Sequence, residues 1–183
     1  INESKNIVFW LDHAGPESKL NSRATLLSAI EAKEAGANVT IMMEKMLVHD
    51  SDGQALYDSA RHKGIRFLRA QTPTDISLAE INGSISIKIN EATLSGVTID
   101  VPCDLLVIPE ILKASEANKR LSGILRQGFD TEGFLQSPNP RHRRVQGPRK
   151  GIFYAGSCHD DIGSGDLLHE IRPINALINL MPQ

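Results

Sequence analysis

The sequence predicts an α/β fold, a Rossmann-like parallel sheet interrupted by an antiparallel three-strand meander. Three observations predict it. The first third alternates short apolar runs with a helical pattern, as strands buried on both faces of a parallel sheet require. From Ile76 to Asp100 apolar and polar residues alternate instead, as in Ile85-Ser86-Ile87-Lys88-Ile89, the mark of strands with one solvated face. Buried runs then return at Asp104 to Ile108 and at Gly151 to Gly156.

Asn6-Ile7-Val8-Phe9-Trp10-Leu11 is the first predicted strand, followed by a loop at Gly15-Pro16. A helix from about Ser22 to Ala35 carries Leu26, Leu27 and Ile30 on one face and stops at Gly36. Val39 to Met43 is the second strand. Ser51 and Gln54 have the spacing of a capping box for a helix that runs to His62 and stops at Gly64. Ile65 to Leu68 is the third strand. Asn82-Gly83 and Ser95-Gly96 are the meander's turns. Ser115 to Leu125 reads as a helix, and Phe134-Leu135 as a short strand. A Pro- and Arg-rich loop spans Ser137 to Lys150. Gly151-Ile152-Phe153-Tyr154-Ala155-Gly156 is predicted as a buried closing strand ending in a glycine turn. A last helix covers about Leu167 to Leu180, with Pro173 near its start or bending it.

Composition narrows the function classes. With 183 residues, 40% hydrophobic and 23% charged, the chain can form a sizeable core. A net charge of -2 gives no global pull toward nucleic acid or an anionic membrane. The apolar runs are too short to span a bilayer, so no transmembrane segment is expected. Cys103 and Cys158 make no disulfide framework, and a reducing cytoplasm is the expected location. Ile1 in place of methionine suggests a piece of something longer.

The order of a βαβαβ unit, a meander and a returning strand is that of the second nucleotide-binding domain in flavoproteins with two dinucleotide folds. Four segments narrow it further: Ile7 to Leu11; Asn21-Ser22-Arg23 leading to Ser28-Ala29-Ile30; Asp104 to Ile108; and Pro148-Arg149-Lys150-Gly151-Ile152-Phe153 with Ala155-Gly156. On these residues the chain resembles the flavoprotein subunit of heterodisulfide reductase and its relatives, including flavoprotein subunits of the quinone-interacting membrane-bound oxidoreductase. The resemblance spans nearly the whole chain but only the later part of a family member.

The resemblance implies residues 1–112 as a second, NAD(P)-type domain and residues 113–183 as the C-terminal segment of an FAD-binding domain. The fold would be truncated, with the glycine-rich opening half upstream of Ile1. It implies FAD in the intact protein, electron transfer within a multisubunit oxidoreductase, other subunits as partners, and a cytoplasmic place peripheral to a membrane complex. Gly156, Ser157, Cys158, Gly163 and Gly165 are the candidate cofactor-binding residues. The piece alone is expected to be inactive. Its unpaired closing strand predicts self-association into a homo-oligomer, or a rearranged C-terminal segment.

Departures from the family pattern are specific. Family cysteines for an iron–sulfur cluster align with Asp12, Asn21, Thr25 and Leu26, none of which supplies a thiolate, so no cluster is expected. Pro109-Glu110-Ile111 replaces the small residue and glycine beside the flavin, and Ser157 replaces the acid after Ala155-Gly156. Asp12-His13-Ala14-Gly15-Pro16-Glu17 offers one useful glycine and a carboxylate that repels phosphate, which argues against ordinary dinucleotide binding. A ligand-free Rossmann-like scaffold that mediates the assembly of subunits is therefore the alternative function. A disulfide reductase would need a CxxC pair that is absent.

Cys158-His159-Asp160-Asp161 has the residue types of a nucleophile or metal site, but sequence neighbours seldom converge, and no metal site is expected. Arg141-His142-Arg143-Arg144 with Arg149-Lys150 is a dense basic patch suited to a phosphate or an acidic partner. Without interleaved aromatics it does not point to nucleic acid.

Overall fold

The computed structural model describes residues 5–13, 18–48, 51–81, 84–94, 97–110 and 113–181. Ile1, Gly15-Pro16, Asn82-Gly83, Ser95-Gly96 and Ile111 lie outside the described residues. The chain divides into two compact units, 1–111 and 112–183.

The first unit opens with β1 (Asn6–Trp10), α1 (Lys19–Glu34), β2 (Asn38–Met43), α2 (Ser51–His62) and β3 (Arg66–Arg69). The meander follows as β4 (Ile76–Ile81), β5 (Ser84–Glu91) and β6 (Val97–Cys103), and β7 (Leu105–Val107) comes last. Four of these strands form a parallel sheet in the order β3-β2-β1-β7. The meander is a separate antiparallel sheet in sequence order. The α/β class and the meander are as the periodicity predicts.

Alternation along each parallel strand sorts side chains onto two faces. Phe9, Leu11, Ile41 and Met43 point to a core shared with Leu26 and Ala29 of α1 and Ala60 of α2. Val8, Trp10, Met42 and Leu68 point the other way, onto Ile87, Ile89 and Val101 of the meander. The parallel sheet is thus a middle layer, which is why its strands read as unbroken apolar runs. Each fully buried Ile or Val contributes about 1.5–3 kcal/mol of transfer free energy. The meander buries one face only, and Leu78 and Val97, at the margins of that face, stay partly exposed. Pro102, which has no N–H to donate, is tolerated because β6 is an edge strand.

Boundaries move by a few residues where a cap decides them. α1 starts at Lys19 rather than Ser22 because the Ser18 side chain accepts the Asn21 N–H at 3.0 Å. The Ser51 side chain of the predicted capping box lies outside the described residues, and the Gln54 amide donates to Asp58 Oδ1 at 3.0 Å, one turn along α2. Trp10 packs against His13 with ring centroids 4.2 Å apart, and its buried indole N–H has no hydrogen-bond partner among the described residues.

The second unit contains α3 (Glu116–Leu125) and α4 (Ser164–Asn179), joined by irregular chain. Ser115 caps α3, accepting the Ala117 N–H at 3.2 Å. The predicted strand at Phe134-Leu135 is reduced to one antiparallel bridge, Phe129 with Leu135. The predicted closing strand also needs correction: over Gly151 to Gly156 there is one bridge, Gln146 with Phe153, and no extended strand. A strand exists only as part of a ladder, and this segment's described partner is the short stretch Val145 to Gly147. No described helix is long and apolar enough to cross a membrane.

Candidate functional site

The candidate residues after the closing segment sit on a tight hairpin and a turn. Tyr154 N–H donates to Val145 O at 2.8 Å, and Gly147 N–H to Ile152 O at 2.9 Å. Gly147 is required by close approach, since a Cβ there would meet Ile152 Cγ2 at 2.9 Å. Tyr154, 2% exposed, anchors the hairpin by donating its hydroxyl to Gln127 Oε1 at 2.6 Å. Burial pushes the Tyr154 phenol above its ordinary range, so it stays a donor.

Gly156 then turns the chain at φ +79°, a left-handed conformation that favours glycine. Its N–H donates to Glu170 Oε2 at 3.0 Å. Glu170 lies on α4 and is 4% exposed. Its other oxygen, Oε1, lies 3.0 Å from His159 Nε2 and 3.4 Å from Arg144 Nε. Neither His159 Nε2 nor Glu170 Oε1 makes an aligned hydrogen bond, so these are close approaches rather than formed bonds. Arg144 also reaches Asp160 Oδ2 at 2.8 Å, and the His159 ring stacks on Tyr154 at 5.8 Å. One buried carboxylate therefore ties the glycine turn, the hairpin arginine and the last helix together.

The five candidate residues do not act as one set. Gly156 faces Glu170, while Ser157 is exposed, with neither its hydroxyl nor its N–H bonded to a described residue. Cys158 turns back, its thiol contacting Ala155 O at 3.4 Å. Burial raises the Cys158 thiol, which keeps it protonated and poorly nucleophilic at neutral pH. Gly163 is the N-cap of α4 and supplies no side-chain cap, and Gly165 lies within the first turn of that helix. Cys158, His159 and Asp160 point at three different partners, namely Ala155, Glu170 and Arg144. No group of three metal-ligating side chains gathers among the described residues.

Sequence reading missed Glu170 as the acceptor for Gly156, and the buried Tyr154–Gln127 pair. A glutamate on an amphipathic helix gives no sign of burial, because its partners are far off in sequence. The one available signal was the missing acid at Ser157 beside a glycine turn whose amide needs an acceptor.

In the first unit, the end of β1 is shaped by Asp12, whose carboxylate accepts the Glu44 N–H beyond β2. Burial is the largest influence on Asp12 and raises its pKa. Asn21 donates to Glu110 O at 2.9 Å, and Thr25 and Leu26 are buried core residues. Among the described residues, Asp12 and Asn21 are thus bonded to backbone of this unit, and neither offers a free donor to a pyrophosphate. In the second unit, the Ser157 hydroxyl and N–H are unbonded to described residues, and the N-cap of α4 has no side-chain cap, so each has donors of the kind that ribityl and phosphate oxygens accept from.

No family model and no curated protein sequence matches this chain. Among solved structures, it is similar to the sulfide:quinone oxidoreductase of the hyperthermophilic bacterium Aquifex aeolicus, with a TM-score of 0.50 and 13% identity. That match covers 97% of this chain and 45% of the oxidoreductase, so the chain spans less than half of that protein's length. Histamine dehydrogenase from Rhizobium sp. 4-9 matches over 67% of this chain and 17% of its own, with a TM-score of 0.39 and 17% identity. The first likeness shows the fold, a partial arrangement of the oxidoreductase type.

Proposed function

We propose that this chain is the later part of an FAD-dependent electron-transfer oxidoreductase subunit, of the same type as the flavoprotein subunit of heterodisulfide reductase. Residues 1–112 are its second nucleotide-binding-like domain, and residues 113–183 the C-terminal segment of its flavin domain. The observation that carries this reading is the left-handed Gly156 turn, packed through Glu170 onto a helix whose start has no side-chain cap. The fold shared with a sulfide:quinone oxidoreductase supports it.

Ser157 and the amides at Gly163 to Gly165 would hold the ribityl and phosphate oxygens. Glu170 positions the turn by accepting the Gly156 N–H. A bound flavin supplies electron acceptance and release, and the protein sets its geometry and surroundings. Partners would be further subunits of a cytoplasmic complex peripheral to a membrane. The test is the colour of the full-length protein. We expect it to be yellow, and a colourless protein that cannot be reconstituted with FAD overturns the reading.

One observation favours a second reading for residues 1–112, a ligand-free scaffold on which subunits assemble. Asp12 is bonded to Glu44 at the very end of β1 where a pyrophosphate would approach. NADH should then leave the melting temperature of the chain unchanged, and a saturable upward shift would refute the scaffold.

A further inference from the structure

Of the basic patch in the Pro- and Arg-rich loop, only Arg144 meets the carboxylate that supports the turn described above, and the structure gives the patch a concave setting. Residues 141–146 form one wall of a cleft of about 510 Å³, and the other wall is a face of α4. That volume lies within the range of small-molecule sites, roughly 300–1,000 Å³.

The two kinds of lining differ in chemistry. Arg144 is engaged with Asp160 and Glu170. The side chains of Arg141 and Arg143 have no hydrogen-bond or ion-pair partner among the described residues. Asp166 is the one carboxylate lining the cleft outside the Arg144 pair, against two lining arginines whose side chains have no described partner. Deeper along α4 the wall is Pro173, Ala176 and Leu177. A pair of unengaged guanidinium groups suits the oxygens of a phosphate, which they can bind bidentately. An apolar wall beside them suits a flat, weakly polar body attached to that phosphate.

We propose that this cleft binds a small organic phosphate, with the phosphate on Arg141 and Arg143 and its flat body on Pro173, Ala176 and Leu177. The cleft shares Arg144 and Glu170 with the support of the Gly156 turn, but Ser157 is not part of its lining and the proposal does not depend on flavin binding.

Isothermal titration of the 183-residue chain with phenyl phosphate, adenosine monophosphate and inorganic phosphate tests it. Both organic phosphates should bind saturably and more tightly than inorganic phosphate. The double substitution Arg141→Ala/Arg143→Ala should weaken them by about tenfold or more, as loss of charge-assisted bonds implies. Leu177→Asp should weaken the organic phosphates while leaving the inorganic ion unchanged, and Ser157→Ala should change neither. All four substituted positions are at least partly exposed, and an unchanged melting temperature checks that the variants fold. Absence of saturable binding overturns the proposal. So does retained affinity in the double arginine variant, or loss on Ser157→Ala, which would move the phosphate to the turn.

Discussion

The two units of this chain solve the burial of polar backbone in different ways. In 1–111 the ladders and helices satisfy it, and the side chains are left to form two apolar cores on either face of one sheet. In 112–183 regular structure is sparse, and buried side chains take over that role. Asn118 donates to the carbonyls of Gly133 at 3.2 Å and Cys158 at 2.8 Å. Ser122 donates to Gln127 O at 2.5 Å, and Glu170 accepts from Gly156. The difference teaches where each unit is fragile: the first is sensitive to lost volume, the second to lost hydrogen-bond partners.

Substitutions can break that contrast. The largest effect is expected from Ile41→Ala, which empties a fully buried site and should cost about 2–5 kcal/mol. Glu170→Ala should cost about 1.5–3 kcal/mol by removing a charge-assisted bond to Gly156. Amide hydrogen exchange read region by region separates the two. Faster exchange confined to residues 1–111 in the first variant and to residues 112–183 in the second sustains the contrast; uniform acceleration in both erases it.

Tyr154→Phe is a finer probe of the second unit. It keeps the ring packed on His159 but leaves the buried Gln127 side chain without its donor, at about 1–3 kcal/mol. A loss near zero in denaturant titration would mean that water replaces the hydroxyl and that the pair is less closed than its burial implies.

The smallest effect is a pH dependence in the first unit. Burial raises the Asp12 pKa, so the folded state binds this proton more readily than the unfolded state. Its contribution to stability therefore falls as pH rises from the ordinary carboxylate value through the raised one. Asp12→Asn cannot ionise and should remove that slope, gaining on the parent chain as pH increases. Denaturant midpoints that run parallel across this window would show that the bond to Glu44 fully offsets the burial.

Much of the first unit was legible because its determinants are local and periodic. Unbroken runs such as Ile7 to Leu11 mark strands covered on both faces, and Ile85 to Ile89 marks a strand covered on one. Caps were harder to read: Ser18 starts α1 at Lys19, three residues before the predicted Ser22. In the second unit the closing segment looked like a strand because Ile152, Phe153 and Tyr154 are apolar or aromatic. Strand character depends on a neighbour, however, and here the described neighbour reaches only from Val145 to Gly147.

The sequence by itself determined the order of strands and helices in the first unit, the place of the meander and the glycine turn at Gly156. These follow from side-chain periodicity and from the backbone freedom of one residue type. Only the tertiary structure decided that Glu170 would serve the Gly156 amide, that Asp12 would bond across to Glu44, and that Arg141 and Arg143 would line a cleft. A charged side chain takes its role from whichever partner folding brings within about 3 Å, and sequence spacing does not encode that distance.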